Sequence, residues 1–489
     1  MRRPEVAVLL SLALAGCAAT PANQEPGPVA ASPAPAPTPA MPADSAAKSA
    51  KLAGALSRPG DDPFKSTYAA PPTTPTVIRN VNIFTAAGPL IRNGAILLVN
   101  GKVAAVGASV TAPANATVID GQGKYVTPGL IDTHSHLGVY PAPGTAAHND
   151  GNEATAPVTA HVWAEHSVWP QDPQFPRVLA GGTTTIQVLP GSANLIGGRG
   201  VTLKVVPGRS VQEMKFPGAP HGLKMACGEN PKRVYASRGP STRMANVAGY
   251  RAAWIQAEAY RRRWDKWLEK EEGDPPSRDL GQETLADVLR GNILVHNHCY
   301  QADEMTIMVD IAKEFGYKIR SFHHGVEAYK VADLLAREGI SASIWSDWGG
   351  FKMEALDGIK ANVGLTHAAG ARTIVHSDDP SYSQRLNQEA SKSLAAARLA
   401  GLTIAEEDAI KWVTLNAAWA LGIDDRTGSL EVGKGADVVL WSANPFSVYA
   451  RPEKVWIDGA LRYDRSDAAQ KWRTDFELGY VPVMTGGNR

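Results

Sequence analysis

The chain has 489 residues, 44% of them apolar, enough to bury a large core in one big domain accompanied by a smaller one. Its 49 lysines and arginines nearly cancel its 48 aspartates and glutamates. No long-range field therefore favours nucleic acid or an anionic membrane surface, and a small neutral or zwitterionic substrate fits better. Three cysteines, Cys17, Cys227 and Cys299, are too few and too scattered for a disulfide framework. Core stability is expected to come from packing, with Cys227 and Cys299 as inert buried thiols.

In chain order, Arg2 and Arg3 precede an apolar run from Val6 to Leu14, shorter than a membrane-spanning helix and laid out like a secretory signal. The run ends in Leu14-Ala15-Gly16-Cys17, which resembles the lipobox of bacterial lipoproteins. That resemblance implies cleavage before Cys17, a lipid on Cys17, and an exported protein on the periplasmic face of the cell envelope, held to the membrane by its lipid alone. The alternative is an ordinary cleaved signal in which Cys17 is incidental. Residues 18–75 are expected to be a tether, Ala/Pro-rich as far as about Ser57 and too poor in buriable surface to fold.

From Thr76 short β-like runs begin, at Val77–Phe84, Ala95–Asn100 and Lys102–Val106, with Asn100-Gly101 as a type I′ hairpin signal. Similar runs return at Ala436–Trp441 and Val455–Asp458, the latter followed by Gly459. Residues 76–127 and 425–465 therefore read as one small β-sandwich built from both ends of the chain around an inserted domain. The insert, residues 128–424, alternates apolar runs with helical stretches. Its candidate strands are Val126–Thr133, Thr183–Leu189, Val201–Val206, Gly222–Ala226, Ile293–His296, Ile319–His323, Ile340–Trp345 and Arg372–His376. Eight buried strands of this kind predict a (β/α)8 barrel, irregular where the connections after the second and third strands are short. Residues 231–290, with the charged stretch Tyr250–Lys270, fit no barrel helix. They read as a solvated insertion on the rim, or as a lid or subunit contact in a homo-oligomer.

Polar residues gather at the strand ends. His134 and His136 follow the first strand on alternate positions, so both rings can turn to one metal ion. Lys224 lies in the fourth strand, His296 and His298 end the fifth, His323 and His324 end the sixth, and Asp378-Asp379 follows the eighth. The C-terminal ends of barrel strands are where catalytic groups sit in this architecture. The loop Pro190–Asn194 with Gly197-Gly198 reads as a tight turn or an anion cradle, and Arg199, Trp345, Trp348 and Lys352 are pocket candidates.

The segment Val126-Thr-Pro-Gly-Leu-Ile-Asp-Thr-His-Ser-His136 resembles the opening motif of the amidohydrolase superfamily. Thr427-Gly-Ser-Leu-Glu-Val-Gly-Lys-Gly-Ala-Asp-Val-Val439 resembles that superfamily's return into its β domain, and the chain is most similar to the imidazolonepropionase-like group. Carried over by position, the resemblance implies that His134 and His136 bind the more buried metal. It also implies that Lys224 is carboxylated and bridges two ions, most simply zinc, with a single ion as the alternative. Glu229 is the next candidate bridge. His296 and His324 match the ligands of the fifth and sixth strands, and Asp378 the aspartate that touches metal and nucleophilic water. His298 and His323 are left as second-layer or substrate-contacting groups.

A bound Zn²⁺-class ion lowers the pKa of water from 15.7 to roughly 7. Asp378 is then the expected general base and proton carrier, and His298 a stabiliser of the oxyanion. The expected reaction is hydrolysis of an amide, peptide or cyclic amide. Two alternatives stay open. One is a deaminase of a small heterocycle, against which stands Cys299 at the place, three residues after His296, where purine-type deaminases in this superfamily carry a glutamate. The other is a metal-free scaffold, against which stands the filling of every ligand position.

Overall fold

The computed structural model describes residues 57–470, so Cys17, the signal and the tether up to residue 56 lie outside the described residues. Residues 57–75, expected to belong to the tether, instead lie along the barrel. Ser66 Oγ donates to Lys215 O at 2.6 Å, Tyr68 Oη donates to Asp458 at 2.6 Å, and the Phe64 ring meets His166 edge-on at 4.5 Å. Two aromatic anchors and a buried ion pair to Asp62 outweigh the Ala/Pro-rich composition upstream.

Five strands lead in: β1 (Thr76–Ile83), β2 (Ile91–Val99), β3 (Lys102–Gly107), β4 (Thr117–Asp120) and β5 (Tyr125–Pro128). Eight follow: β6 (Leu130–Ser135), β7 (Thr183–Val188), β8 (Ile196–Lys204), β9 (Gly222–Ala226), β10 (Leu294–Cys299), β11 (Ile319–His324), β12 (Ser341–Ile344) and β13 (Thr373–Val375). The chain then returns through β14 (Val438–Trp441), β15 (Pro452–Ile457) and β16 (Ala460–Asp464).

The first and last groups hydrogen-bond into one eight-stranded sheet, β16-β15-β14-β5-β1-β2-β3, with β4 also on β1. Both ends of the chain thus contribute strands to one β unit, as expected. The two hairpins are where the sequence put them. Asn100 and Gly101 have φ of 49° and 77°, and Asp458 and Gly459 have φ of 48° and 71°, the positive values that a two-residue turn between antiparallel strands requires. Ile78, Val81, Ile96, Val126, Val438 and Trp456 fill the core of this sheet, alternating with exposed positions such as Arg79 and Asn80.

The middle group forms the second eight-stranded sheet, in sequence order from β6 to β13. One strand departs from the expected parallel barrel: β8 runs antiparallel to both β7 and β9. The short Pro190–Leu195 connection explains it, because it leaves no room for a crossover helix and returns the chain as a hairpin. The sheet's two edges meet through specific bonds. Asp378 N donates to His134 O at 2.9 Å, and Asp132 accepts from Ser377 N at 3.2 Å and from Ser377 Oγ. Burial pushes the Asp132 carboxyl up to about 6, against which the Ser377 and His134 bonds pull.

The long helix Arg243–Leu268 is not merely a solvated rim insertion. Asn246, Tyr250, Ala253, Trp254, Ala257, Tyr260 and Trp264 make one buried stripe at helical spacing. Tyr250 Oη donates to Ala226 O at the end of β9, and the Trp254 ring packs 4.4 Å from Tyr317. The helix thereby walls the barrel beside β9 and β10.

Candidate metal centre

The cysteines at the ends of β9 and β10 are joined. Cys227 and Cys299 form a disulfide with Cα atoms 5.3 Å apart, correcting the expectation of two inert thiols. Adjacent parallel strands bring together residues separated by 72 positions, a proximity that spacing in the sequence does not carry. The bridge pins the strand ends that bear Lys224 and His298.

Next to it, side chains from β6 and from the turn after β13 converge. Asp378 Oδ1 lies 3.3 Å from His134 Nε2 and 3.2 Å from His136 Nε2. His136 Nδ1 is 2.9 Å from Leu189 O, to which only an N–H can bond, so Nε2 is the nitrogen left to face Asp378, as a proton donor to the carboxylate or, once deprotonated, as a ligand. Asp378 reaches this position with φ of 66°, in the left-handed region that costs a non-glycine residue about 1–3 kcal/mol. His324 is held the same way, with φ of 71°. The turned backbone lets both His323 and His324 face the interior, although consecutive strand residues ordinarily face opposite sides.

His134, His324 and His376 form a second group whose ligand atoms all lie within 4.8 Å of one another. His376 Nε2 is 3.0 Å from His324 Nδ1, and Trp345 stacks on the His324 ring at 4.1 Å. By sequence His376 is the last residue of the eighth candidate strand and not a candidate ligand. Its position, at a strand's C-terminal end like every other histidine of the site, is the signal that could have found it.

The fifth strand delivers a different histidine from the one expected. His296 has both nitrogens occupied, Nδ1 by His323 at 2.9 Å and Nε2 by Gln187 at 3.2 Å, and does not join the cluster. His298, two residues nearer the mouth, does: its ring is 4.5 Å from His324, its Nδ1 has no hydrogen-bond partner among the described residues, and its Nε2 is 3.4 Å from Asn230 Nδ2. Residues two apart on a strand face the same way but lie roughly 6–7 Å apart in depth. The sequence shows the shared face and not the depth.

Lys224 is 1% exposed, and among the described residues no carboxylate lies within ion-pair distance of it. Its Nζ donates to Pro190 O at 2.9 Å and stands 3.2 Å from His134 Nε2. Burial lowers this amine to about 7. Burial also lowers His134, His298, His323 and His324 well below the ordinary imidazole value, with neighbouring Lys224 and histidine charges adding to it, and brings His376 to about 4. Neutral imidazole is the form that binds metal. Asp378 is held below the usual carboxylate range: burial opposes this, and His136, His376 and Lys224 together outweigh it.

Of the other candidates, Glu229 pairs with Lys352 at 3.3 Å instead of facing the cluster. Lys352 lies 4.1 Å over the Tyr300 ring and donates to Asn230 Oδ1 at 3.1 Å, so it borders the mouth together with Trp345 and Trp348. Arg199 stands away from the mouth, stacked on Trp163 at 4.2 Å and bonded to Thr284.

A neighbouring pair of ligand atoms on a tetrahedral ion with bonds of about 2.0–2.1 Å is separated by about 3.3 Å. The two contacts of Asp378 Oδ1 have that length, and all three ligand atoms lie within 4.8 Å of one another, so the chemistry and spacing of the donor set suit a zinc-class ion.

An amidohydrolase family model matches residues 301–463. The crystal structure of an amidohydrolase from Thermotoga maritima MSB8 superposes with a TM-score of 0.74 at 34% identity, covering 80% of this chain and 100% of that one. The amidohydrolase TasK of Hapsidospora irregularis is 34% identical over 398 residues, 77% of this chain and 40% of its own length. Imidazolonepropionase of Geobacillus kaustophilus is 26% identical over 402 residues, 72% of this chain and 84% of its own. The chain thus spans about 40% of the length of TasK and most of the imidazolonepropionase.

Proposed function

The chain belongs to the amidohydrolase family and is a hydrolase of carbon–nitrogen bonds, and on that premise we propose that it cleaves a small amide, short peptide or cyclic amide at a divalent-metal centre held by His134, His136 and Asp378. The observation that carries this reading is the placement of Asp378 Oδ1 at 3.2–3.3 Å from both histidine Nε2 atoms. Across the mouth His298, His324 and His376 supply the remaining imidazoles, for a second ion or for the substrate.

When bound, such an ion lowers the pKa of a water and polarises the scissile carbonyl. Asp378, kept ionised by the groups around it, accepts the water's proton as that water attacks, and later delivers it to the leaving nitrogen. His298 lies beside His324 with a buried Nδ1 that has no hydrogen-bond partner among the described residues and can donate to the developing oxyanion. Tyr300, Trp345 and Trp348 wall off water on that side. Lys224 has the properties that carbamate formation requires: a buried amine lacking a carboxylate partner, lowered to about 7, that can add CO₂ as neutral –NH₂ with loss of one proton. The carbamate would replace a cation beside His134 with two anionic oxygens suited to bridging two zinc ions.

The reading extends to an exported, envelope-facing protein lipid-anchored at Cys17, acting on small molecules or short peptides, with no nucleic-acid partner and with residues 231–290 as the candidate contact of a homo-oligomer. The deaminase alternative gains nothing from the move to His298, because the residue three positions on is Gln301 and no carboxylate. The test is a panel of dipeptides, N-acyl amino acids, imidazolone-type cyclic amides and amino-substituted heterocycles, given to protein purified with zinc and bicarbonate. New carboxylate without ammonia is the expected product. Ammonia release from an amino-heterocycle, with every amide inert, would replace this reading with a deaminase.

A further inference from the structure

Beneath the candidate centre three imidazoles and an amide run in single file across the barrel. His134 Nδ1 is 2.9 Å from His323 Nδ1, His323 Nε2 is 2.9 Å from His296 Nδ1, and His296 Nε2 is 3.2 Å from Gln187 Nε2. All four residues are at most 1% exposed, and they come from β6, β11, β10 and β7. Room for the far end exists because residue 222 is glycine. A Cβ there would lie 2.8 Å from Gln187 Nε2 and 2.9 Å from His296 Cδ2.

Each nitrogen–nitrogen contact needs one N–H and one lone pair, so fixing one end fixes the whole file. If the Nε2 lone pair of His134 is given to an ion, its proton is on Nδ1 and His323 Nδ1 must be bare. A bare Nδ1 puts the His323 proton on Nε2, which makes His296 Nδ1 bare in turn and puts its proton on Nε2. The file then ends in a donor and requires an acceptor at Gln187. The amide oxygen is that acceptor, and Gln187 Oε1 is a buried atom with no hydrogen-bond partner among the described residues. A half-turn of the amide presents Oε1 to His296, since the two ends of an amide are assigned by their partners. The opposite polarity, with the amide N–H donating to His296, reverses all three rings. It places a proton on His134 Nε2, where it blocks coordination.

We propose that Gln187, His296 and His323 are positioning residues that hold His134 in its Nδ1–H tautomer, so that the acceptor end of Gln187, three residues removed from the ion, sets how tightly the centre binds metal. This rests on the reading of His134 as a ligand. Groups that orient metal-bound histidines typically change affinity by about 10- to 100-fold when removed.

The experiment measures zinc affinity by chelator competition on the full-length protein and its Gln187 variants, together with histidine-selective ¹⁵N ring spectra of the zinc-loaded wild type. Gln187→Glu, which can only accept, is expected to bind zinc within about threefold of wild type. Gln187→Leu, which leaves the file without its acceptor, is expected to bind about 10-fold or more weakly. The spectra are expected to show His296 and His323 protonated on Nε2, and they need no variant, so the proposal stays testable if Gln187→Leu does not fold. Unchanged affinity in Gln187→Leu, or His323 protonated on Nδ1 with zinc bound, overturns the proposal. Zinc affinity unchanged in His134→Ala would instead overturn the ligand reading on which it rests.

Discussion

Two lysines close to β9 are almost equally buried and have opposite surroundings. Lys215, 4% exposed near the start of the strand, lies 2.7 Å from Glu165 and 2.8 Å from Asp62. Lys224, 1% exposed within the strand, faces a carbonyl oxygen and a histidine nitrogen. Taking a cation out of water costs several kcal/mol unless an anion comes with it. The first lysine is therefore built to hold its charge and tie residues 57–75 to the barrel. The second is driven towards its neutral, nucleophilic form at the mouth. The difference teaches that burial alone does not mark a functional lysine; burial without a counter-ion does.

Lys224→Met should break the comparison on the side of activity. Turnover is expected to fall by about 10- to 100-fold or more, since even outer partners of a metal centre carry about 10- to 100-fold. Thermal stability should hold or rise, because an unpaired buried amine is replaced by a thioether of similar volume. Steady-state kinetics and a melting curve on the same sample check both halves.

Lys215→Met should break it on the side of stability. It removes the ammonium 2.7 Å from the buried Glu165 carboxylate, leaving His221 as its partner on that side, and is expected to lower unfolding free energy by about 3–5 kcal/mol in a urea titration, with kcat/KM unchanged in what remains folded. The pH dependence sharpens the same point. In the native protein Glu165 is held below its ordinary value: burial would raise it, and His221 and Lys215 overcome that. Its contribution to stability is therefore present above the unfolded value of about 4.5 and is lost as pH falls through the lower folded value. In Lys215→Met, with His221 left to oppose burial without the lysine, the Glu165 carboxyl should titrate higher than in wild type, so less of its stabilising contribution remains to be lost on acidification. Melting temperatures of both proteins between about pH 3 and 7 read that difference.

A smaller effect comes from the covalent tie. Replacing Cys227 and Cys299 together by alanine should cost about 2–4 kcal/mol, the typical range for losing a disulfide. A urea titration of the double variant measures it.

Much of this was legible from residues alone because local chemistry carried it. The His134–His136 alternation on a strand end, Asp378 after the last strand, and the Asn100-Gly101 and Asp458-Gly459 turns each follow from neighbours in the chain. What escaped depends on depth, direction or distance. His296 and His298 share a face, and only the packed barrel shows that the lower one is bonded to His323 and Gln187. The antiparallel course of β8 depends on a connection too short for a helix, a property visible as irregularity but not as direction. The disulfide and the contacts of Phe64 and Tyr68 join segments far apart in sequence, and the composition around them pointed elsewhere.

The most direct measurement is zinc content per folded chain, taken on wild type and on His134→Ala, His136→Ala and Asp378→Asn with circular dichroism confirming the fold. At least one equivalent in wild type, lost in all three variants, is the predicted result. A folded wild-type chain that takes up no zinc, or variants that keep a full equivalent, would contradict the account.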